Sequence, residues 1–247
     1  MLERDVAEGI HRVDDGYVNF FLVEDGSGVT VVDTGHPRSW GPFRQALKEI
    51  GRRSQDVEAV VLTHCHFDHM GFADRARREL GVPLWTHAEE VSVASHPWRY
   101  DHERSRLPYL RNPAFPRALA SMTASGALWV KGTGDVRPFA APNGELDVPG
   151  RPRPVFTPGH THGHCALDFP DRGAVITGDA VVTFDVYTGE SGPRIVAGAA
   201  TANSKRALSS LEAIAATGAE TVLPGHGDVW RDGARKAAEH AAAVGPS

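Results

Sequence analysis

The chain has 247 residues, 26 basic and 31 acidic, for a formal charge of -5. That length suits one large domain with a substantial buried core, and a single domain over residues 1–247 is expected. The interspersed, mildly negative charge excludes the basic stripe of a nucleic-acid-binding surface, and two cysteines (Cys65 and Cys165) exclude a disulfide scaffold. No apolar run approaches the ~20 residues that span a bilayer, and the opening MLERDVAEGIHRVDD has no signal-peptide core. A reduced, cytoplasmic protein is the expectation.

The N-terminal part reads as strands: GIHRV, YVNFFLVED and GVTVVDTG are rich in Val, Ile, Phe and Tyr and are separated by Asp-Gly and Gly-Ser-Gly turns. A helix follows, with Ser39 as its cap, Trp40, Phe43, Leu47 and Ile50 on one face, and Gly51 closing it. VEAVVLTH is then a strand, ADRARRELG a helix and VPLWTH a short strand. Residues 89–131 change character: scattered prolines, several arginines and Trp98, Tyr100, Tyr109, Phe115, Met122 and Trp129 show no strand alternation. They read as an irregular, partly helical insertion. Strand-like patterning resumes in GDVRPF, GELDVPG, RPVFTPGH, CALDF and GAVITGDA. SKRALSSLEAIAATG then makes a helix with Leu208, Leu211, Ile214 and Ala215 on a shared face and Gly218 ending it, before a last strand and turn in AETVLPGHG. Strands with helices between them suggest two sheets with helices outside.

The polar clusters sit at strand ends, where a rigid sheet presents side chains to a shared cleft. VVLTHCHFDH ends one strand, VFTPGHTHGH a second, AVITGDA a third and TVLPGH a fourth. Imidazoles and carboxylates are ligands for zinc and neighbouring first-row metals. Side chains at i and i+2 of an extended stretch point the same way, so His64 and His66 can reach one ion together. Asp68 and His69, past the turn, could address a second, and His160, Asp179 and His226 could complete two coordination spheres. Taken singly, Asp68 could cap a helix and Gly178-Asp179 could form a turn; turn chemistry does not explain the whole set. By the same alternation Cys65 points away from the ligand pair and is read as a packing residue, and Cys165 as the start of a buried strand.

THCHFDHMG, TPGHTHGH, TGDA and PGHG, in this order and with VVDTG at residues 31–35, resemble the metallo-β-lactamase superfamily over nearly the whole chain outside residues 89–131. The resemblance implies an α+β fold, a four-layer αββα sandwich with a dinuclear metal centre at one edge of the sheets. It implies that His64, His66 and His160 bind the first metal, Asp68, His69 and His226 the second, and that Asp179 bridges them. Asp33 matches a position where an acceptor orients a ligand histidine, whereas His162 and His164 match no ligand position. Two zinc ions per chain are expected, and His/Asp ligation suits iron or manganese as well. Such a centre activates a bridging water as hydroxide, with Asp68 helping to move a proton, and no serine or cysteine nucleophile is needed.

The expected reaction is therefore metal-assisted hydrolysis of an ester-like bond in a small-molecule substrate: a lactone, a thioester or a related acyl compound. Hydroxyacylglutathione hydrolases resemble the chain less well, since GDVWRDGARKAAEHAAAVGPS after His226 is enough for only one helix. True β-lactamases are exported and mostly lack an equivalent of Asp179, and RNA-processing members need a basic surface. Quorum-lactone hydrolases resemble it in ligand set and size; they place a tyrosine after the bridging aspartate, for which Tyr187 is the candidate, at a longer spacing. A mononuclear-iron thiol or persulfide dioxygenase using His64, His160 and Asp179 is the alternative, and a non-catalytic binding module a third. The aromatics of residues 89–131, with Arg99, Arg104, Arg106 and Arg111, are read mostly as the insertion's own core and solvated face; a substrate lid or a homodimer interface is the functional use they suit.

Overall fold

The computed structural model describes residues 1–26, 28–141 and 144–247. Ser27, the middle of the predicted Gly-Ser-Gly turn, lies outside the described residues.

Seven strands in sequence order make the first sheet: β1 (Leu2–Ala7), β2 (Ile10–Asp14), β3 (Asn19–Asp25), β4 (Gly28–Val32), β5 (Val57–Val61), β6 (Leu84–His87) and β7 (Arg137–Phe139). The pairings are antiparallel from β1 to β4 and parallel from β4 to β7. Helices α1 (Trp40–Glu49) and α2 (Ala73–Leu80) provide the crossovers into β5 and β6. The second sheet contains β8 (Arg153–Phe156), β9 (Cys165–Phe169), β10 (Ala174–Gly178) and β13 (Thr221–Pro224), in the order β13-β10-β9-β8. A separate hairpin pairs β11 (Val182–Phe184) with β12 (Ser191–Arg194), and α5 (Ser204–Ala215) and α6 (Ala234–Val244) follow it.

Strand periodicity sorts the apolar side chains into layers. On β3, Phe20 and Leu22 face α1 and α2 and pack with Phe43, Leu47 and Phe72; Phe21 and Val23 point the other way. There they meet Val61 of β5, Leu167 of β9, Ile176 of β10 and Leu223 of β13 between the sheets. Ala166 and Val175, on the far face of the second sheet, pack with Leu211 and Ile214 of α5 and Ala237 and Ala241 of α6. Helix, sheet, sheet, helix: this is the αββα sandwich, and at about 25 cal/mol per Å² the apolar area in its three interlayer clusters is its main driving force. No described helix is long and apolar enough to cross a membrane.

The insertion is partly helical, with α3 (Val91–Ser95), α4 (Ala114–Ala124) and short 3₁₀ turns. Two expectations need correction, and one strand was not expected. Ser39 stands at the N-cap position of α1 but its side chain makes no cap bond: its backbone is helical, and its hydroxyl accepts from the His36 N–H while donating to Asp15, serving the 3₁₀ turn Pro37–Ser39 instead. GELDVPG forms no strand; Pro149 and Gly150 are spent on turn geometry, with Gly150 at φ +82°. The charged opening residues form β1, an edge strand whose side chains are mostly exposed, so no buried face marks it. The β11–β12 hairpin also has no counterpart among the predicted elements.

Candidate metal centre

The loops after β5, β8, β10 and β13 converge at one edge of the sandwich and bring all seven expected ligands together. Three groups have donor atoms within 4.8 Å of one another: His64, His66 and His160; His64, His69 and Asp179; and Asp68, His69 and His226. All seven residues are buried. Asp179 lies between the groups, its Oδ2 3.4 Å from His160 Nε2 and 3.2 Å from His226 Nε2, its Oδ1 3.4 Å from His69 Nε2. Asp68 Oδ2 lies 3.6 Å from His226 Nε2.

The partners on the outer side of each ring decide what the inner side offers. Asp33 accepts from the Thr63 N–H and hydroxyl, and its Oδ2 lies 3.0 Å from His69 Nδ1, which therefore donates to it. The Thr63 hydroxyl, its proton given to Asp33, is left to accept from His64 Nδ1–H at 3.0 Å. Thr201 repeats the arrangement: its hydroxyl donates to the Val196 carbonyl and accepts from His160 Nδ1 at 3.3 Å. His226 Nδ1 donates to the carbonyl of Tyr17. Bonding at Nδ1 thus fixes four buried imidazoles with Nε2 turned inward, a lone pair in each ring once it is neutral. His66 is the exception, with Nδ1 facing His160 Nε2 at 2.9 Å.

Lone pairs and carboxylates crowded into a buried space demand a cation. His64 Nε2, His66 Nε2 and Asp179 Oδ1 are buried without a hydrogen-bond partner, as expected of atoms that a metal satisfies. Burial, then the neighbouring imidazoles, holds His64 well below the usual histidine range; burial does the same to His66, with His160 the next cause. Burial lowers His160 to about 4, so these rings are neutral and ligand-ready at pH 7. For His69 burial also opposes the charge, but Asp179 and Asp33 outweigh it and hold its pKa above the usual value. The residues fit a dinuclear metal site by donor chemistry, tautomer and burial.

Backbone geometry supports the cluster. Asp33 and Tyr17, which hold His69 and His226, are two of the four non-glycine residues with positive φ among the described residues, at 58° and 84°. Such strain persists only where the surroundings impose it. Gly225 precedes His226 because a Cβ there would come within 2.4 Å of Asp179 Oδ1.

His164 is buried beside the ligands without joining a group: its Nε2 accepts the Asp179 N–H and its Nδ1 lies 2.8 Å from the Thr157 hydroxyl, with burial lowering its pKa to about 3. His162 is exposed, 2.9 Å from Asp101. Cys65 is buried with Sγ 3.3 Å from the Thr86 hydroxyl, and Cys165 opens β9. Sequence patterning passed over Glu90, which is fully buried and ties the two histidine loops together. Its carboxylate accepts from Cys65 N and from Gly163 N, both at 2.9 Å.

A cavity of about 270 Å³ opens from the cluster under the insertion, reaching His66, Asp68, His160, Asp179 and His226 at its polar end. The insertion is stitched across it. Glu103 accepts from the N–H and hydroxyl of Ser204 at the start of α5, Arg104 N donates to Gly198 O, and Trp98 stacks on Phe67 at 4.0 Å. Tyr187 is buried in the cavity wall, its ring stacked on Phe115 at 4.7 Å. Tyr100 is the phenol in contact with a ligand candidate: its ring lies 3.9 Å from that of His66, and its hydroxyl accepts from Arg106 at 2.8 Å. Only its place among the aromatics of the insertion could have drawn notice to it.

The family model described as the metallo-beta-lactamase superfamily matches residues 13–226. The chain belongs to this superfamily. YflN, a probable metallo-hydrolase of Bacillus subtilis (strain 168), is 27% identical over 188 residues, covering 73% of this chain and 67% of its own length. The N-acyl homoserine lactonase AttM of Rhizobium radiobacter is 27% identical over 241 residues, 86% of this chain and 83% of that one. Among solved structures, the metallo-beta-lactamase family protein TTHA1429 from Thermus thermophilus superposes with a TM-score of 0.70 at 26% identity, covering 96% of this chain and 79% of that one. Membership of the superfamily, with relatives of these names and His/Asp groups able to hold metal, makes the chain a metal-dependent hydrolase.

Proposed function

We propose that the protein hydrolyses an ester-like bond in a small acyl compound, a lactone or thioester among them, with two metal ions, zinc in the first instance. His64, His66 and His160 would hold one ion, Asp68, His69 and His226 the other, with Asp179 shared between them. The observation that carries this is the set of inward donor atoms: the Nε2 atoms of four Nδ1-anchored imidazoles and the unpartnered Oδ1 of Asp179 around one buried space. Bound cations supply Lewis acidity and lower the pKa of a coordinated water towards neutrality.

The chain's own groups do the rest. Asp68 lies both in the cluster and on the cavity wall, where it can take a proton from attacking water and return it to the leaving group. Tyr187 and Tyr100 are the phenols available to meet the substrate's carbonyl. Tyr100 accepts from Arg106 and so keeps its own proton to donate, and burial raises its pKa, holding it protonated. The insertion excludes water over this end of the cavity. The lactonase name of AttM supports including lactones among the substrates.

Metal analysis of protein purified without chelator or added metal tests the assignment. About two zinc ions per chain, with turnover on a lactone or thioester lost on chelation and restored by zinc, is the expected result. One iron per chain with substrate-dependent oxygen uptake would replace the hydrolase by the dioxygenase.

A further inference from the structure

The cavity does not end at the polar cluster. Its other end is formed by the insertion, where apolar side chains are left exposed in unusual concentration. Among the described residues the large hydrophobics that are exposed are Met1, Val244 and six in the insertion: Trp98, Leu107, Leu110, Leu119, Leu128 and Trp129. All six of the latter but Trp129 line this cavity. Leu107 is 72% and Leu128 58% exposed, a cost that an ordinary surface avoids. Deeper in, Phe115, Met122 and Val186 continue the apolar wall towards the ligands. Arg106, the one arginine or lysine of the wall among the described residues, sits at the Tyr100 side: its Nη2 donates to Tyr100 and its Nε to the Ala199 carbonyl.

We infer that the substrate carries an apolar aliphatic or aryl tail, which lies along the insertion's leucines while the scissile acyl group meets the polar cluster. This rests on the hydrolytic reading for the reacting end and goes beyond it in naming what occupies the other. The exposed leucines are a binding surface completed by the substrate, not a solvated face. A chain that reaches from Tyr100 to Leu128 removes both its own methylenes and these side chains from water. Each buried methylene is worth about fourfold in affinity, up to the length at which the tail leaves the cavity.

The test separates tail binding from turnover. Binding of n-alcohols from butanol to decanol is followed by tryptophan fluorescence, with Trp98 in the cavity wall as reporter, and hydrolysis is followed on zinc-loaded protein with p-nitrophenyl esters from acetate to decanoate. Affinity and kcat/KM should both climb by about two- to fourfold per methylene before levelling. In Leu110→Asp and Leu119→Asp the ratio of long-ester to acetate kcat/KM should fall at least tenfold, with circular dichroism reporting that they fold. Alcohol binding that climbs with length but no ester turnover would support the tail site and overturn the hydrolytic reading instead. Alcohol affinity independent of length overturns the tail site whatever the turnover. A doubled mass in solution that halves when Leu107 and Leu128 become aspartate, with flat alcohol binding, would give the leucines to a second copy of the chain and also overturn it.

Discussion

The two ends of the cavity are built by opposite means. At the polar end every ligand candidate is buried and held from behind: Thr63 and Asp33, at strand ends, behind His64 and His69, and Thr201, in the loop before α5, behind His160. At the apolar end the side chains come from irregular turns and the short helix α4, and several remain exposed. One end is pre-organised for a fixed chemistry, where a displacement of an ångström is costly. The other is the end inferred to take the substrate's tail. Chemistry and specificity are therefore separable here by substitution.

The sharpest break of the polar end is Asp179→Ala or His160→Ala. Either should remove metal and reduce turnover by about four orders of magnitude, read by metal analysis and initial rates; a variant that kept full activity would sink the ligand assignment. Next is Asp33→Ala, which touches the ligands only through Thr63 and His69. Metal affinity should fall about 10- to 100-fold in competition with a chelator, with activity recovered at high metal concentration. Tyr100→Phe lies on the seam between the two ends. It should lower kcat/KM about tenfold, mostly through kcat, while leaving metal content at the wild-type value; Tyr187→Phe, measured beside it, tells which phenol meets the carbonyl.

The smallest effect lies outside both ends and checks that the others are local. Asp168 of β9 is buried with Oδ1 unpartnered, and burial pushes its pKa up to about 6. An acid whose folded-state value is raised binds more protons folded than unfolded, so its contribution to stability falls as pH rises from 3.8 through about 6. Asp168→Asn should therefore be about 1 kcal/mol more stable than wild type at pH 7, after allowance for solvent screening, with the difference vanishing below pH 3.8. Denaturant midpoints at pH 3.5 and 7 read this, with turnover unchanged.

The candidate ligands were legible in the sequence, His64 and His66 through local spacing and the set of seven through the ordered motifs and the resemblance they carry. His64 and His66 share a side because a strand end alternates, and the two Pro-Gly-His turns follow the short apolar runs that form β8 and β13. The same alternation placed Cys65 away from the ligands, whereas the two faces of β3, apolar and buried on both sides, were told apart only by packing. Asp33 was also legible, through its motif. The edge strand β1 and the β11–β12 hairpin were not, because neither presents a regular alternation of buried and exposed residues.

What only the tertiary structure decided is which nitrogen of each histidine is free, what binds the loops to one another and where the cavity runs. Tyr17 reaches His226 through its carbonyl, a group that every residue has and no sequence pattern announces. Glu90 joins Cys65 to Gly163, and Tyr100 covers His66, by contacts across long separations in the chain. Periodicity reports the face a residue presents, since that depends on its near neighbours along the backbone. The partner it meets depends on how separate elements pack, and the leucines of the insertion acquired their meaning only when folding set them at the mouth of the metal centre.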